Sequence, residues 1–165
     1  MGAFTYRMPA GIAGDVNRGQ HSTITPEMIT AFGVTGAPTA YGLACKIDAT
    51  TGKVRMVADP DTTADGFLVR PFPTNSSQDA LGTSTPIADG VCDLMRRGFM
   101  TVKLGGAAAA VKGGAVYVWS SASATTHVQG QVEAADPTTD GFILAGAYFV
   151  GPADANGITE IGFNI

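Results

Sequence analysis

In Phe99-Met100-Thr101-Val102-Lys103-Leu104, the apolar Met100, Val102 and Leu104 alternate with Thr101 and Lys103. A period of two places the three apolar side chains on one face, as in a strand with one side buried. The same reading extends outward. Downstream lie Gly114 to Trp119, Val128 to Glu133, Phe142 to Val150 and Thr159 to Ile165, the last with Ile161, Phe163 and Ile165 sharing a face. Upstream, Tyr41 to Asp48 and Lys53 to Val57 flank the turn Ala49-Thr50-Thr51-Gly52, a hairpin by composition. Gly66-Phe67-Leu68-Val69-Arg70 comes next and is stopped by Pro71 and Pro73. The 22 glycines and 9 prolines punctuate these runs instead of clustering. A helix has little room: Ala107-Ala108-Ala109-Ala110-Val111-Lys112 is enclosed by Gly105-Gly106 and Gly113-Gly114 and could hold only a turn or two. The expected fold class is all-β.

The first thirty residues read differently. Met8-Pro9-Ala10-Gly11-Ile12-Ala13-Gly14-Asp15 shows neither period, so residues 1–30 are expected as an extended arm and 31–165 as the folded domain. Thr25-Pro26-Glu27-Met28-Ile29 suits either a helical turn or an edge strand. Within the arm, Phe4, Tyr6 and Met8 alternate, with Arg7 and Pro9 beside them. Such a segment suits a strand laid against another protein, or one paired inside its own domain. Arg70-Pro71-Phe72-Pro73-Thr74 is a stiff aromatic loop with the same two uses, an interface or an internal plug. Phe4, Tyr6, Arg7, Met8, Pro9, Arg70 and Phe72 are therefore the candidate interface residues. The chain also echoes itself. Asp59-Pro60-Asp61-Thr62-Thr63-Ala64-Asp65-Gly66-Phe67-Leu68 parallels Asp136-Pro137-Thr138-Thr139-Asp140-Gly141-Phe142-Ile143-Leu144, each preceded by a similar strand. Two similar β units, at about 38–73 and about 113–152, account for this, although shared turn chemistry explains part of it.

Composition narrows the function. Charged residues are 15% of the 165, against about 25% for an average soluble domain. A chain without a dense ionic coat is suited to having much of its surface covered by neighbours. Net charge is −4, with no basic stripe, which argues against direct nucleic-acid binding. No apolar run reaches the roughly 18 residues of a membrane span, and no signal peptide opens the chain. Synthesis in a cytosol is expected, where Cys45 and Cys92 are two small buried hydrophobes and not a disulfide.

A search for chemistry returns little. His21 and His127 are the 2 histidines, and neither has Cys, Asp or Glu at metal-ligand spacing. Both read as solvated loop histidines. No Gly-x-Ser-x-Gly turn presents a nucleophile. The glycine-rich stretch from Gly105 to Gly114 lacks the Gly-Lys-Ser/Thr step of a phosphate loop. Asp59, Asp61 and Asp65 could gather around a cation, but Ala64 stands where an EF-hand needs Gly, and Asx turns explain the pattern. No catalytic residue, metal site or cofactor is expected. A binding module for carbohydrate is the competing reading, with Trp119, Tyr117 or Tyr148 as its stacking platform.

Longer phrases carry a resemblance. Phe4-Thr5-Tyr6-Arg7-Met8-Pro9-Ala10-Gly11-Ile12-Ala13-Gly14-Asp15 is similar to the opening of capsid cement, or decoration, proteins of tailed bacteriophages. Gly66 to Pro73, Arg97 to Leu104, Lys112 to Trp119, Ala147 to Asp154 and Ile161 to Ile165 are similar as well, so the resemblance runs nearly end to end. It implies a small β-barrel or jelly-roll-like domain on the outside of an icosahedral head. Its partners would be the major capsid protein, whose subunits it bridges against internal DNA pressure, and further copies of itself in a dimer or trimer. Deleting residues 1 to 12 is expected to leave a folded domain that binds heads less well.

Overall fold

The computed structural model describes residues 11–31, 36–71, 85–87 and 89–165. Its strands are β1 (Val16–Asn17), β2 (Thr23–Met28), β3 (Ala44–Ile47), β4 (Val54–Met56), β5 (Gly66–Val69), β6 (Val91–Gly105), β7 (Ala115–Trp119), β8 (Val132–Glu133), β9 (Gly141–Phe149) and β10 (Ile158–Phe163). The only helical element among the described residues is a 3₁₀ turn, Gly19–His21. The fold is all-β, as the alternation predicts.

The 15-residue β6 organises the molecule. Its second half belongs to a closed five-stranded barrel. β10 runs antiparallel to β6 from Ile158↔Lys103 to Phe163↔Gly98. β9, β7 and β8 follow in order, each antiparallel to the last, and β8 closes the ring by running parallel to β6 at Leu104↔Val132. Closure leaves these five strands without a free edge to protect. Alternating residues, Met100 and Val102 on β6, Val116 and Val118 on β7, and Phe149 and Ile161 opposite, are buried in one cluster.

The remaining strands repeat that order. β2, the first half of β6, β5, β3 and β4 are successive neighbours, every pair antiparallel. Ile29, one residue past β2, then meets Val54 of β4 in a single parallel bridge. Strand for strand, and direction for direction, β2-β6-β5-β3-β4 matches β6-β10-β9-β7-β8. The last strand of the first ring is thus continuous with the first strand of the second. Ile29, Cys45, Val54, Leu68, Cys92 and Leu94 form the core of the smaller ring. Phe67, Val69 and Met95 turn the other way and join the barrel's cluster. There Phe67 meets Phe163 edge-on, with centroids 5.4 Å apart and planes at 83°.

The passage from one ring to the other is Gly98. Its φ is +138°, and a Cβ there would lie 2.9 Å from the Ser22 Cα, so only glycine fits. Beside it, Arg96 reaches from β6 to β2, 2.8 Å from Glu27 Oε1 and 3.1 Å from Thr25 Oγ1.

Several boundaries differ from expectation. β6 begins at Val91 and not at Phe99, because Arg96-Arg97-Gly98 interrupts the apolar alternation without interrupting the strand. The segment from Thr25 resolves as edge strand, with Pro26 tolerated because β2 pairs with β6 on one side. Val128 to Gly130 turns before the short β8. Ala107 to Lys112 is not helical. The stretch expected as an arm over 1–30 divides. From residue 11 onward it is held along β6: Gly14 N–H donates to Thr101 O (2.8 Å), Thr101 N–H to Asp15 O (2.9 Å), and Thr101 Oγ1 to Ile12 O (2.5 Å). β1 and β2 continue that attachment. Residues 1–10 lie outside the described part.

Candidate functional site

Of the residues expected at an interface, Arg70 can be placed. Phe4, Tyr6, Arg7, Met8, Pro9 and Phe72 lie outside the described residues. Arg70 follows β5 directly, and its N–H donates to Gly14 O at 2.9 Å, which ties the smaller ring to the hook of chain at 11–14. The hook can approach so closely because Gly14 has φ +93° and a Cβ there would sit 2.6 Å from Tyr41 Cβ.

Where the hook, the Ala40–Leu43 segment and the barrel meet, they enclose a cleft of about 610 Å³ at the waist between the rings. Ile12, Leu43, Val128 and Ile158 give it apolar walls, and Gln131 and Asn156 add polar groups. Among the described residues its charged lining consists of Arg70 and Lys103, with no carboxylate, although the chain carries 14 acidic and 10 basic residues. Arg70 is 9% exposed, and its guanidinium lies over the Tyr41 ring, 5.9 Å from the centroid. Its Nη2 is shut off from solvent and has no hydrogen-bond partner among the described residues. Such an unpaired buried donor costs about 1–3 kcal/mol. Lys103 and Tyr41 were not singled out by sequence. Lys103 reads there only as the polar face of a strand.

The other candidates resolve into structure. Arg55 forks onto Asp61 (2.6 and 3.1 Å), whose Oδ2 also accepts the Ala58 N–H, and Asp65 accepts the Ile47 N–H at 2.8 Å. These carboxylates fasten turns, and no cluster of three or more metal-binding side chains occurs among the described residues. His127 is not a solvated loop residue. Its Nδ1 is 2.5 Å from Oε1 of Glu133, a side chain buried to 4% exposure, and its ring stacks on Trp119 with centroids 4.1 Å apart. One face of Trp119 is therefore covered, and Tyr148 lies against Gly162. His21 sits exposed in the 3₁₀ turn. Both thiols are buried and free. Burial pushes the Cys92 thiol up to about 11, with Asp93 and Glu27 adding to it, and drives Cys45 up further. Neither is a poised nucleophile. At the far end of the smaller ring, the cross-strand partners Met28 and Val91 are exposed beside Ile87, Val91 to 77%.

A family model described as XM1 gp53 minor capsid protein matches residues 1–163, and the chain belongs to this family of minor capsid proteins, structural components of a bacteriophage virion. A chain in a solved structure titled "The capsid of Myoviridae Phage XM1" has the same fold, with a TM-score of 0.71 at 22% identity over 98% of this chain and 95% of that one. Comparison with curated proteins returns no match. No helix among the described residues is long and apolar enough to cross a membrane.

Proposed function

We propose that this minor capsid protein is a cement: it binds the outside of the head, bridges neighbouring major capsid subunits and strengthens the shell against the pressure of packaged DNA, without catalysis. The observation that carries this reading is the doubled ring. Two β units of matching strand order, fused through β6, give one chain two comparable outer faces, the form needed to hold two similar neighbours. We take the two to be copies of one ancestral unit. Sparse charge supports the same role, since crowded copies repel one another little. Residues 1–10, with Phe4, Tyr6, Arg7, Met8 and Pro9, supply a reaching segment, and Arg70 and Phe72 a second contact. Exposed Val91, Met28 and Ile87 suit contacts between copies in a dimer or trimer. Each contact need be only modest, because a shell repeats it many times.

Cosedimentation with expanded heads lacking the chain tests this. The full chain is expected to saturate such heads at a fixed stoichiometry, and a chain beginning at Gly11 to stay folded but bind more weakly. Absence of binding by the full chain would refute the proposal.

A further inference from the structure

We propose that the waist cleft receives an acidic side chain carried on an extended segment of a neighbouring capsid subunit. This deepens the capsid-binding reading above and rests on it. Arg70, nine-tenths buried, held over Tyr41 and leaving Nη2 without an acceptor among the described residues, is an unfinished arrangement. Buried arginine forks are completed by carboxylates or phosphates, whose planar or triangular oxygens match the donor geometry. Lys103 lines the same cleft, so its field is positive in a chain of net charge −4. Ile12, Leu43, Val128 and Ile158 then decide the kind of carrier. A free anion or a nucleic-acid backbone would leave those apolar walls wet. A peptide covers them with the side chains that flank its carboxylate, while Gln131 and Asn156 can meet its backbone. Rotation about the last Arg70 torsions, over the Tyr41 ring, brings Nη2 to the incoming oxygen.

The hook gives the cleft a mechanical consequence. Gly11 to Ala13 form one wall and Tyr41 to Leu43 another, so an occupant touches the chain that bridges both rings. Docking there stiffens the waist against shear.

The test titrates the wild type, Arg70→Met, Arg70→Lys and Lys103→Glu onto expanded heads of its own phage lacking this chain, each variant first checked by circular dichroism and melting. Arg70→Met and Lys103→Glu are expected to weaken binding about tenfold or more, with Arg70→Lys between them and the wild type, and wild-type binding to weaken with salt. Lys103 is exposed, so its variant reports even if Arg70→Met fails to fold. Wild-type affinity in both Lys103→Glu and a folded Arg70 variant overturns the inference while leaving the cement reading intact. Failure of the wild type itself to bind removes both. To name the occupant, Ala40→p-benzoylphenylalanine, placed on the exposed rim, is irradiated on heads and the adduct sequenced. An acid-containing capsid-subunit segment supports the proposal. An adduct with this chain's own residues 1–10 or with DNA, or none at all, contradicts it.

Discussion

Asp61 illustrates how much single polar residues do in this fold. Burial alone pushes its carboxyl up, but the Arg55 fork and the Ala58 N–H outweigh that and hold it below its ordinary value. A carboxyl depressed on folding contributes stability above its unfolded pKa of about 3.9, and that contribution is lost as pH falls through the folded value. Asp61→Asn is therefore expected to lower stability by about 1–2 kcal/mol at pH 7, with the deficit closing in strong acid. Urea unfolding at both pH values measures it, and a deficit unchanged in acid would contradict the assignment. At this scale the sequence was only partly legible. The acidic turns were recognisable because Asx chemistry is local. His127 was misread because its partners, Trp119 and Glu133, are supplied by strands on either side of its loop. Arg70 stands out in sequence for its Pro-Phe-Pro surroundings, yet its distinguishing property, a buried Nη2 with no acceptor among the described residues, depends on residues 14 and 41 and could not be read from its neighbours.

Among the elements, β6 carries the architecture, and its legibility divides at Gly98. Met100, Val102 and Leu104 alternate cleanly because that half has one face inside the barrel. In the other half burial alternates from Val91 to Leu94 and then slips in phase, because Leu94 and Met95 are both buried and face different clusters. The glycine between the halves is an element-scale requirement. With φ at +138° and Ser22 backbone 2.9 Å from a Cβ, Gly98→Ala strains the chain and pushes β2 off β6. We expect a loss of about 3 kcal/mol, read as a lower urea midpoint. An unchanged midpoint would mean that the crossing between rings is softer than its geometry implies. The hook likewise sets where the N-terminus can be cut. Removal through residue 12 takes away the Ile12 carbonyl that Thr101 and Asp15 use, so a cut before Gly11 is the safer test of a reaching segment.

At the scale of the whole molecule, equivalent places in the two rings carry a similar motif. Asp65-Gly66-Phe67 and Asp140-Gly141-Phe142 open β5 and β9, which hold equivalent places in the two rings. Both glycines are pressed against backbone, Gly66 against Met95 O and Gly141 against Val118 O, so the shared motif is a packing requirement as well as a turn. The ring closures were not legible, since β8 and the Ile29 bridge pair parallel across long stretches of chain. Because β6 is common to both rings and one apolar cluster spans them, the molecule should unfold as a unit. Trp119, the single tryptophan, reports on the barrel, and reactivity of Cys45 and Cys92 reports on the smaller ring. Their denaturation curves are expected to coincide, and separated midpoints would show two independent modules. The cement role itself is tested most directly by heating. DNA-filled heads lacking this chain are warmed with and without saturating purified protein while DNA release is followed. Bound protein is expected to raise the release temperature. Protein that binds without moving it, or that does not bind, would refute the cement role.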